Sequence, residues 1–205
     1  TSHVLPKNWK RLDVSDLSFS YTGDGEDLHL NGVSFSVFRG EHIALVGETG
    51  SGKTTLLKIM RDLYHPQDIK LCVDGVVVRN GFEGINQAVT LVQQDPEIFA
   101  RTIWENITMG AEYSLDLVLK FTDMACFTDV VEGMPKKFDS SIKEKGVNLS
   151  GGQQQRLALS RGLLACHDKD IVLLDEPTSS LDAITQGTVY RNIFQGFEGK
   201  TIIST

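Results

Sequence analysis

The 205-residue sequence predicts an α/β fold: a mostly parallel sheet, an N-terminal antiparallel β region and a helical insertion. Three patterns carry that expectation. Short apolar runs alternate with helical spacings around Ile43 and again after Ser150, and strands separated by helices favour a parallel sheet. Near the N-terminus, Leu17, Phe19 and Tyr21 alternate with polar residues, and Val33, Phe35 and Val37 repeat the alternation after a turn-like Thr22–Asp27, as on half-buried strands. From about residue 95 to 150 the helical pattern dominates, with Leu115, Val118 and Leu119 opening a helix that runs to about Phe127.

Ile43–Val46 reads as a buried strand ending at Gly47, and Leu56, Met60 and Leu63 follow at helical spacing. Cys72–Val78 carries Asp74-Gly75, a hairpin signal. Val89–Val92 is a further short strand, and Gly133–Lys145 reads as loop. After Ser150 come a helix over Gln154–Ala165, a buried strand Ile171–Leu174, a helix through Val189 and Ile193, and a strand Thr201–Ile203.

Composition excludes several classes. Hydrophobic residues make up 40% and charged residues 23%, which is ordinary globular usage. Acidic residues outnumber basic ones, 27 to 20, for a net charge of −7. That balance argues against broad electrostatic binding of nucleic acid or anionic lipid. No apolar run exceeds four residues, whereas a membrane helix needs about 20. Cys72, Cys126 and Cys166 lie far apart without a CxxC pair, so they read as thiols of a reducing compartment.

Gly47-Glu48-Thr49-Gly50-Ser51-Gly52-Lys53-Thr54 fits GxxxxGK[ST] between a predicted strand and a predicted helix. Glycines let the backbone curl so that successive N–H groups face one concavity, and the helix start adds a positive dipole end. Lys53 then reaches the β- and γ-phosphates and the Thr54 hydroxyl serves Mg²⁺, with Thr55 beside it in the binding set. The motif marks a nucleotide site, and the fold expected around it is a P-loop NTPase core. Ile171–Leu174 runs into Asp175-Glu176, two carboxylates at the C-terminal edge of a strand, where open α/β sheets bind ligands. Asp175 suits Mg²⁺, and Glu176 suits an attacking water. Leu149-Ser150-Gly151-Gly152-Gln153 precedes a helix with Ser150 as a natural N-cap. It is a second anion-binding helix start in one small chain.

Taken in order, these residues resemble the ATP-binding cassette (ABC) ATPases over nearly the whole chain. Gly47–Thr54 looks like their Walker A loop and Ile171–Glu176 like Walker B with the catalytic glutamate; Leu149–Gln153 is identical to the LSGGQ signature. Ser180-Leu181-Asp182 matches the D-loop, Gln94 fits the Q-loop glutamine that senses Mg²⁺ and water, and Tyr21 matches the aromatic residue that stacks on adenine. The resemblance implies an ATPase with Lys53, Gln94 and Glu176 in catalysis, and Mg²⁺ served by Thr54, Gln94 and Asp175. It also implies a head-to-tail pair, in which ATP on one subunit is covered by Ser150, Gly151, Gly152 and Gln153 of the other, with Asp182 at the join.

Gln94-Asp-Pro96-Glu-Ile-Phe99 and Thr102–Ile107 resemble exporter-type cassettes, where the segment near Gln94–Asn106 receives coupling helices of a membrane domain. Glu144-Lys145-Gly146 resembles the end of their X-loop. Pro177, Gln154 and Lys143 depart from the exporter pattern. The implied layout is a linker tail over residues 1–11, then an ATPase domain over 12–205 with a helical subdomain at about 95–150. Lys200–Thr205 resembles the strand before the family's switch histidine, so that histidine is expected past Thr205. For the chain alone, the expectation is ATP binding with weak hydrolysis. In the parent protein it is an exporter's ATPase at the cytoplasmic face of a cell membrane. A soluble ABC ATPase of DNA repair or translation, and a non-hydrolysing regulatory module, are the alternatives.

Overall fold

Apolar residues recurring at every second position build the first sheet. The computed structural model describes residues 5–22, 28–93, 97–142 and 148–205. Within it β1 (Arg11–Phe19) buries Leu12 and Val14, then Leu17 and Phe19. The parity change is a bulge. Asp16 takes φ 57° and the register with its neighbours shifts there, because one extra residue in a strand swings the following side chains to the other face. β2 (Leu30–Phe38) pairs antiparallel with β1, Leu12 facing Val37 and Val14 facing Phe35. Gly47–Gly52 follows β3 (His42–Ala44) and leads into α1 (Lys53–Met60).

β4 (Asp68–Val73) lies antiparallel on the other side of β1, and β5 (Val76–Val77) folds back on β4. The turn between them has φ 50° at Asp74 and φ 81° at Gly75. Positive φ at both central residues is the geometry a two-residue hairpin prefers. The Asp74 carboxylate also accepts from the N–H groups of Lys10 and Arg11, each at 2.9 Å, which stitches the turn to the entry of β1.

The second sheet is built from β3, β6 (Val89–Val92), β7 (Ile171–Leu174) and β8 (Thr201–Ser204), in the order β3-β8-β7-β6. β8 pairs parallel with both β3 and β7, as the alternating pattern predicts. All four residues of β7 are buried, as suits a strand covered on both faces. Ile43–Val46 departs from its expectation. The strand is only three residues long and partly exposed, and Val46 is 90% exposed. The physical reason is its place: among the described residues β3 has β8 as its one neighbour and forms the sheet edge.

The chain divides into two compact units. One comprises 1–91, 168–175 and 199–205, and side chains from both sheets meet α1 in its core. Leu5 and Trp9, ahead of β1, bury into that core at 3% and 0% exposure. The other comprises 92–167 and 176–198. It holds α2 (Ile103–Thr108), α3 (Leu115–Met124), α4 (Thr128–Glu132), α5 (Gly151–Ala165) and α6 (Ala183–Gly196).

α2 and α3 pack on α5, and α3 meets α6 with the Phe121 and Phe197 rings 5.8 Å apart. The helix expected to reach Phe127 stops earlier, because Cys126 takes φ 54° and a left-handed residue cannot continue a right-handed helix. Arg156 holds that break by donating to the Cys126 carbonyl at 2.8 Å. Among the described residues, no helix is long and apolar enough to cross a membrane.

Trp9→Ala is expected to destabilise the fold by about 3–5 kcal/mol, the usual cost of deleting a buried aromatic ring. Trp9→Phe should cost less, since it keeps a ring and drops an indole N–H that has no partner among the described residues. Urea unfolding followed by circular dichroism measures both. Wild-type stability in Trp9→Ala would remove this residue from the core.

Candidate nucleotide site

Gly47–Thr54 curls because glycine stands where the curl demands it. Gly50 and Gly52 take φ 84° and 91°, a region other residues rarely adopt. Space is the second constraint. A Cβ at Gly47 would lie 2.7 Å from Ser51 Oγ, and one at Gly52 would lie 2.8 Å from Leu30 Cδ2. The Ser51 N–H closes the turn on the Glu48 carbonyl at 3.1 Å. Lys53 then bends back over the loop, its Nζ donating to the Gly47 carbonyl at 2.8 Å and the Glu48 carbonyl at 2.9 Å. A cation thus sits across the concavity of the loop. α1 begins at Lys53 with no side chain capping its first turn, which leaves those amides to an anion.

Beside the loop, Thr54 Oγ1 donates to Asp175 Oδ1 at 2.9 Å. Asp175 is 3% exposed and also accepts from the Thr205 hydroxyl at 3.2 Å. Thr205 was not among the sequence-predicted site residues. It arrives because β8 runs parallel beside β7 and its backbone N–H bonds the Leu174 carbonyl at 3.0 Å. A hydroxyl and a carboxylate in contact at the mouth of a phosphate loop form a donor set suited to Mg²⁺, which takes one or two carboxylates and completes its shell with phosphate and water.

Tyr21 lies two residues past β1 and is 52% exposed. Its ring stands edge-on to Phe19, His29 and Tyr64 at centroid distances of 4.9, 4.5 and 5.5 Å. Its hydroxyl bonds the Thr55 hydroxyl at 2.8 Å. An exposed ring is thus tethered to the phosphate-loop helix through Thr55.

Glu176 follows Asp175 directly. It is exposed and takes φ 44°, a conformation that costs a non-glycine residue on the order of 1–2 kcal/mol. Such strain concentrates at functional sites. The signature residues adopt a different kind of helix start from α1. Ser150 Oγ accepts from the Gln153 N–H at 3.3 Å, and Gln153 Oε1 accepts from the Ser150 N–H at 2.9 Å. This capping box lets α5 begin at Gly151, earlier than the expected Gln154. Gly151 and Gly152 carry no side chain over the helix end.

Asp182 caps α6, its Oδ1 accepting from the N–H groups of Ile184 and Thr185 at 3.1 and 3.0 Å. Hydrogen bonds from the Thr185 hydroxyl and from these backbone groups hold its carboxyl below the ordinary aspartate range. Gln94, Asp95 and Pro96, and the segment Glu144-Lys145-Gly146 with Lys143 before it, lie outside the described residues.

Further along, buried Asn106 staples the segment before α2. Its Oδ1 accepts from the Phe99 N–H at 2.9 Å, and its Nδ2 donates to the carbonyls of Phe99 and Thr102 at 3.0 and 2.9 Å. Arg161 of α5 lies over the Phe99 ring at 5.3 Å and donates to the Glu97 carbonyl. Phe99, Arg101, Glu105 and Met109 line a cavity of about 270 Å³ there.

A strand–loop–helix phosphate cradle, with a buried aspartate at its threonine, defines a P-loop nucleotide-binding domain. The family model for ABC transporters matches residues 30–179. The chain belongs to that family. It is 35% identical over 198 residues to the heterocyst differentiation ATP-binding protein HepA of Nostoc sp., a match covering 95% of this chain and 32% of that protein. It is 36% identical over 188 residues to the mitochondrial iron-sulfur clusters transporter ATM1 of Candida glabrata, covering 91% of this chain and 25% of that one. Among solved structures, a bacterial Atm1-family ABC exporter with ATP bound aligns at a TM-score of 0.85 and 29% identity, over all of this chain and 35% of that one. The chain therefore spans about a third or less of the length of these relatives.

Lys53→Ala is expected to weaken ATP binding on the order of 10- to 100-fold, the value of losing hydrogen bonds to a charged group. Isothermal calorimetry reads it, and unchanged affinity would exclude Lys53 from the site. Because Asp182 titrates below its unfolded value, its support of α6 is complete above the ordinary aspartate pKa and is lost as pH falls through the lowered one. The protection of the Ile184 and Thr185 amides, their exchange measured relative to an unstructured chain at the same pH, should therefore fall on acidification in wild type. In Asp182→Ala it should be low throughout.

Proposed function

We propose that this chain is the ATP-binding and ATP-hydrolysing domain of an ABC exporter, acting at the cytoplasmic face of a membrane to power transport of a substrate. The observation that carries the reading is the juxtaposition of the Lys53 ammonium, curled over its loop, with the Thr54–Asp175 pair 2.9 Å apart. The relatives named as transporters and exporters support the transport role.

The loop amides and Lys53 bind the phosphates, and the Tyr21 ring stacks on the base. Thr54 and Asp175 would hold Mg²⁺, with Gln94 a third partner by resemblance. Bound there, Mg²⁺ supplies charge neutralisation for the phosphate oxygens. The Glu176 carboxylate orients the attacking water and accepts its proton. Phosphoryl transfer is mainly positioning and electrostatic stabilisation, which is what these fixed groups provide.

Two chains pair head-to-tail in this reading, with Ser150 and Gly152 of one covering ATP held by Lys53 of the other. That explains why a single chain has one helix start left uncapped at Lys53 and another closed by its own box at Ser150. The wall formed by Phe99, Arg101, Glu105 and Met109, with Asn106 and Arg161 behind it, receives the coupling helices of the membrane domain.

In the full-length protein, Glu176→Gln should keep ATP affinity, lose hydrolysis by at least about 100-fold, and accumulate an ATP-bound dimer. Light scattering with and without ATP, beside a phosphate-release assay, reads both effects. Wild-type turnover in Glu176→Gln would remove the carboxylate from its role.

A further inference from the structure

Gln155 is 3% exposed on α5, and both ends of its amide are spent on one loop. Its Nε2 donates to Ser179 Oγ at 3.1 Å, and its Oε1 accepts from the Ser180 N–H at 2.8 Å. The Ser180 N–H can only donate, so the atom facing it is the amide oxygen, and the orientation of the side chain is determined. Three residues earlier on the same helix face, Gly152 abuts the same loop. A Cβ on Gly152 would lie 3.6 Å from both Leu181 Cδ2 and the Ser180 carbonyl oxygen. The signature helix therefore touches residues 179–181 through two independent contacts.

That loop is itself closely held. The Ser179 N–H donates to the Glu176 carbonyl at 3.3 Å, and the Leu181 N–H donates to the Thr178 carbonyl at 3.0 Å. Gln186 Nε2 donates to Thr178 Oγ1 at 2.8 Å. Asp182 closes the segment as the cap of α6. Only one hydrogen bond thus separates Glu176, in its left-handed backbone conformation, from the serine that Gln155 grips.

We propose that Gln155 is a positioning residue for hydrolysis, joining the start of the signature helix and the Glu176–Asp182 loop into one rigid body. Engagement of Ser150 and Gly152 by a partner's nucleotide is then transmitted to Glu176 through the Gln155 amide. The inference rests on the head-to-tail reading above. Both side-chain hydrogen bonds of Gln155 among the described residues go to Ser179 and Ser180, so its loss should leave nucleotide binding intact and misplace the carboxylate. A misplacement of about an ångström is enough to slow a reaction up to about 100-fold.

The test uses the full-length protein with Gln155→Met, of similar volume without the amide, Ser179→Ala, which removes one of the two bonds, and Gln155→Glu, which keeps an acceptor for the Ser180 N–H. Gln155→Met should lower kcat for ATP about tenfold or more with KM within about twofold of wild type. Ser179→Ala should lose less, and Gln155→Glu should recover part of the rate. Combined with Glu176→Gln, Gln155→Met should still form the ATP-dependent dimer.

Wild-type kcat in Gln155→Met overturns the proposal. So does loss of dimer and kcat together, which would mark Gln155 as a structural residue only. If Gln155→Met does not fold, wild-type kcat in both Ser179→Ala and Gln155→Glu overturns it equally. Absence of an ATP-dependent dimer in Glu176→Gln itself would instead remove the two-chain reading, and the proposal with it.

Discussion

A carboxylate taken out of water is costly unless hydrogen bonds or a cation replace its hydration. Asp175 meets that requirement with the Thr54 and Thr205 hydroxyls at 2.9 and 3.2 Å. Much of the unit that holds it is arranged to permit those contacts. The phosphate loop must end on α1 so that Thr54 is that helix's second residue, and β7 must be buried so that Asp175, the residue just past it, meets α1 rather than solvent. β8 must run parallel to β7 so that its end delivers Thr205. Each partner comes from a different stretch of chain, 121 and 30 residues away from Asp175. The acid therefore joins three segments before it serves any ligand.

The two glycine-rich helix starts show how similar sequences acquire different chemistry. At α1, glycine supplies the cap position with φ 91° and no side chain answers the first turn; the Lys53 ammonium lies back over the loop and the Asp175 carboxylate accepts from Thr54. At α5, a serine caps and a glutamine replies, so the helix is stable at its end without a ligand. The first start leaves its amides without a side-chain acceptor. The second presents glycines beside an already satisfied cap.

Non-glycine residues with positive φ occur at several turns of the chain. Glu176, Cys126 and Asp16 are all non-glycine residues with positive φ, and each is held by its surroundings. Asp16 donates its N–H to Ser34 Oγ at 3.0 Å, the Cys126 carbonyl is fixed by Arg156, and the Glu176 carbonyl by the Ser179 N–H. Rigid neighbours make such conformations persist. At Glu176 the consequence is a fixed direction for the bond from which the side chain departs.

The amino-acid sequence by itself determined the α/β class, the two glycine motifs, the carboxylates after Ile171–Leu174 and the family resemblance. These depend on local spacing and on residue types with few substitutes, such as glycine at φ near 90° and lysine beside phosphate. Tertiary structure decided what depends on neighbours distant in the chain. It made β3 a short, exposed edge where the apolar run Ile43–Val46 suggested a buried strand, and it brought Thr205 to Asp175. It tied Tyr21 to Thr55 across 34 residues and spent both ends of the Gln155 amide on residues 179 and 180. Burial and hydrogen-bond partnership are properties of the packed chain, so one-dimensional spacing names the chemical groups but not the contacts that hold them in place.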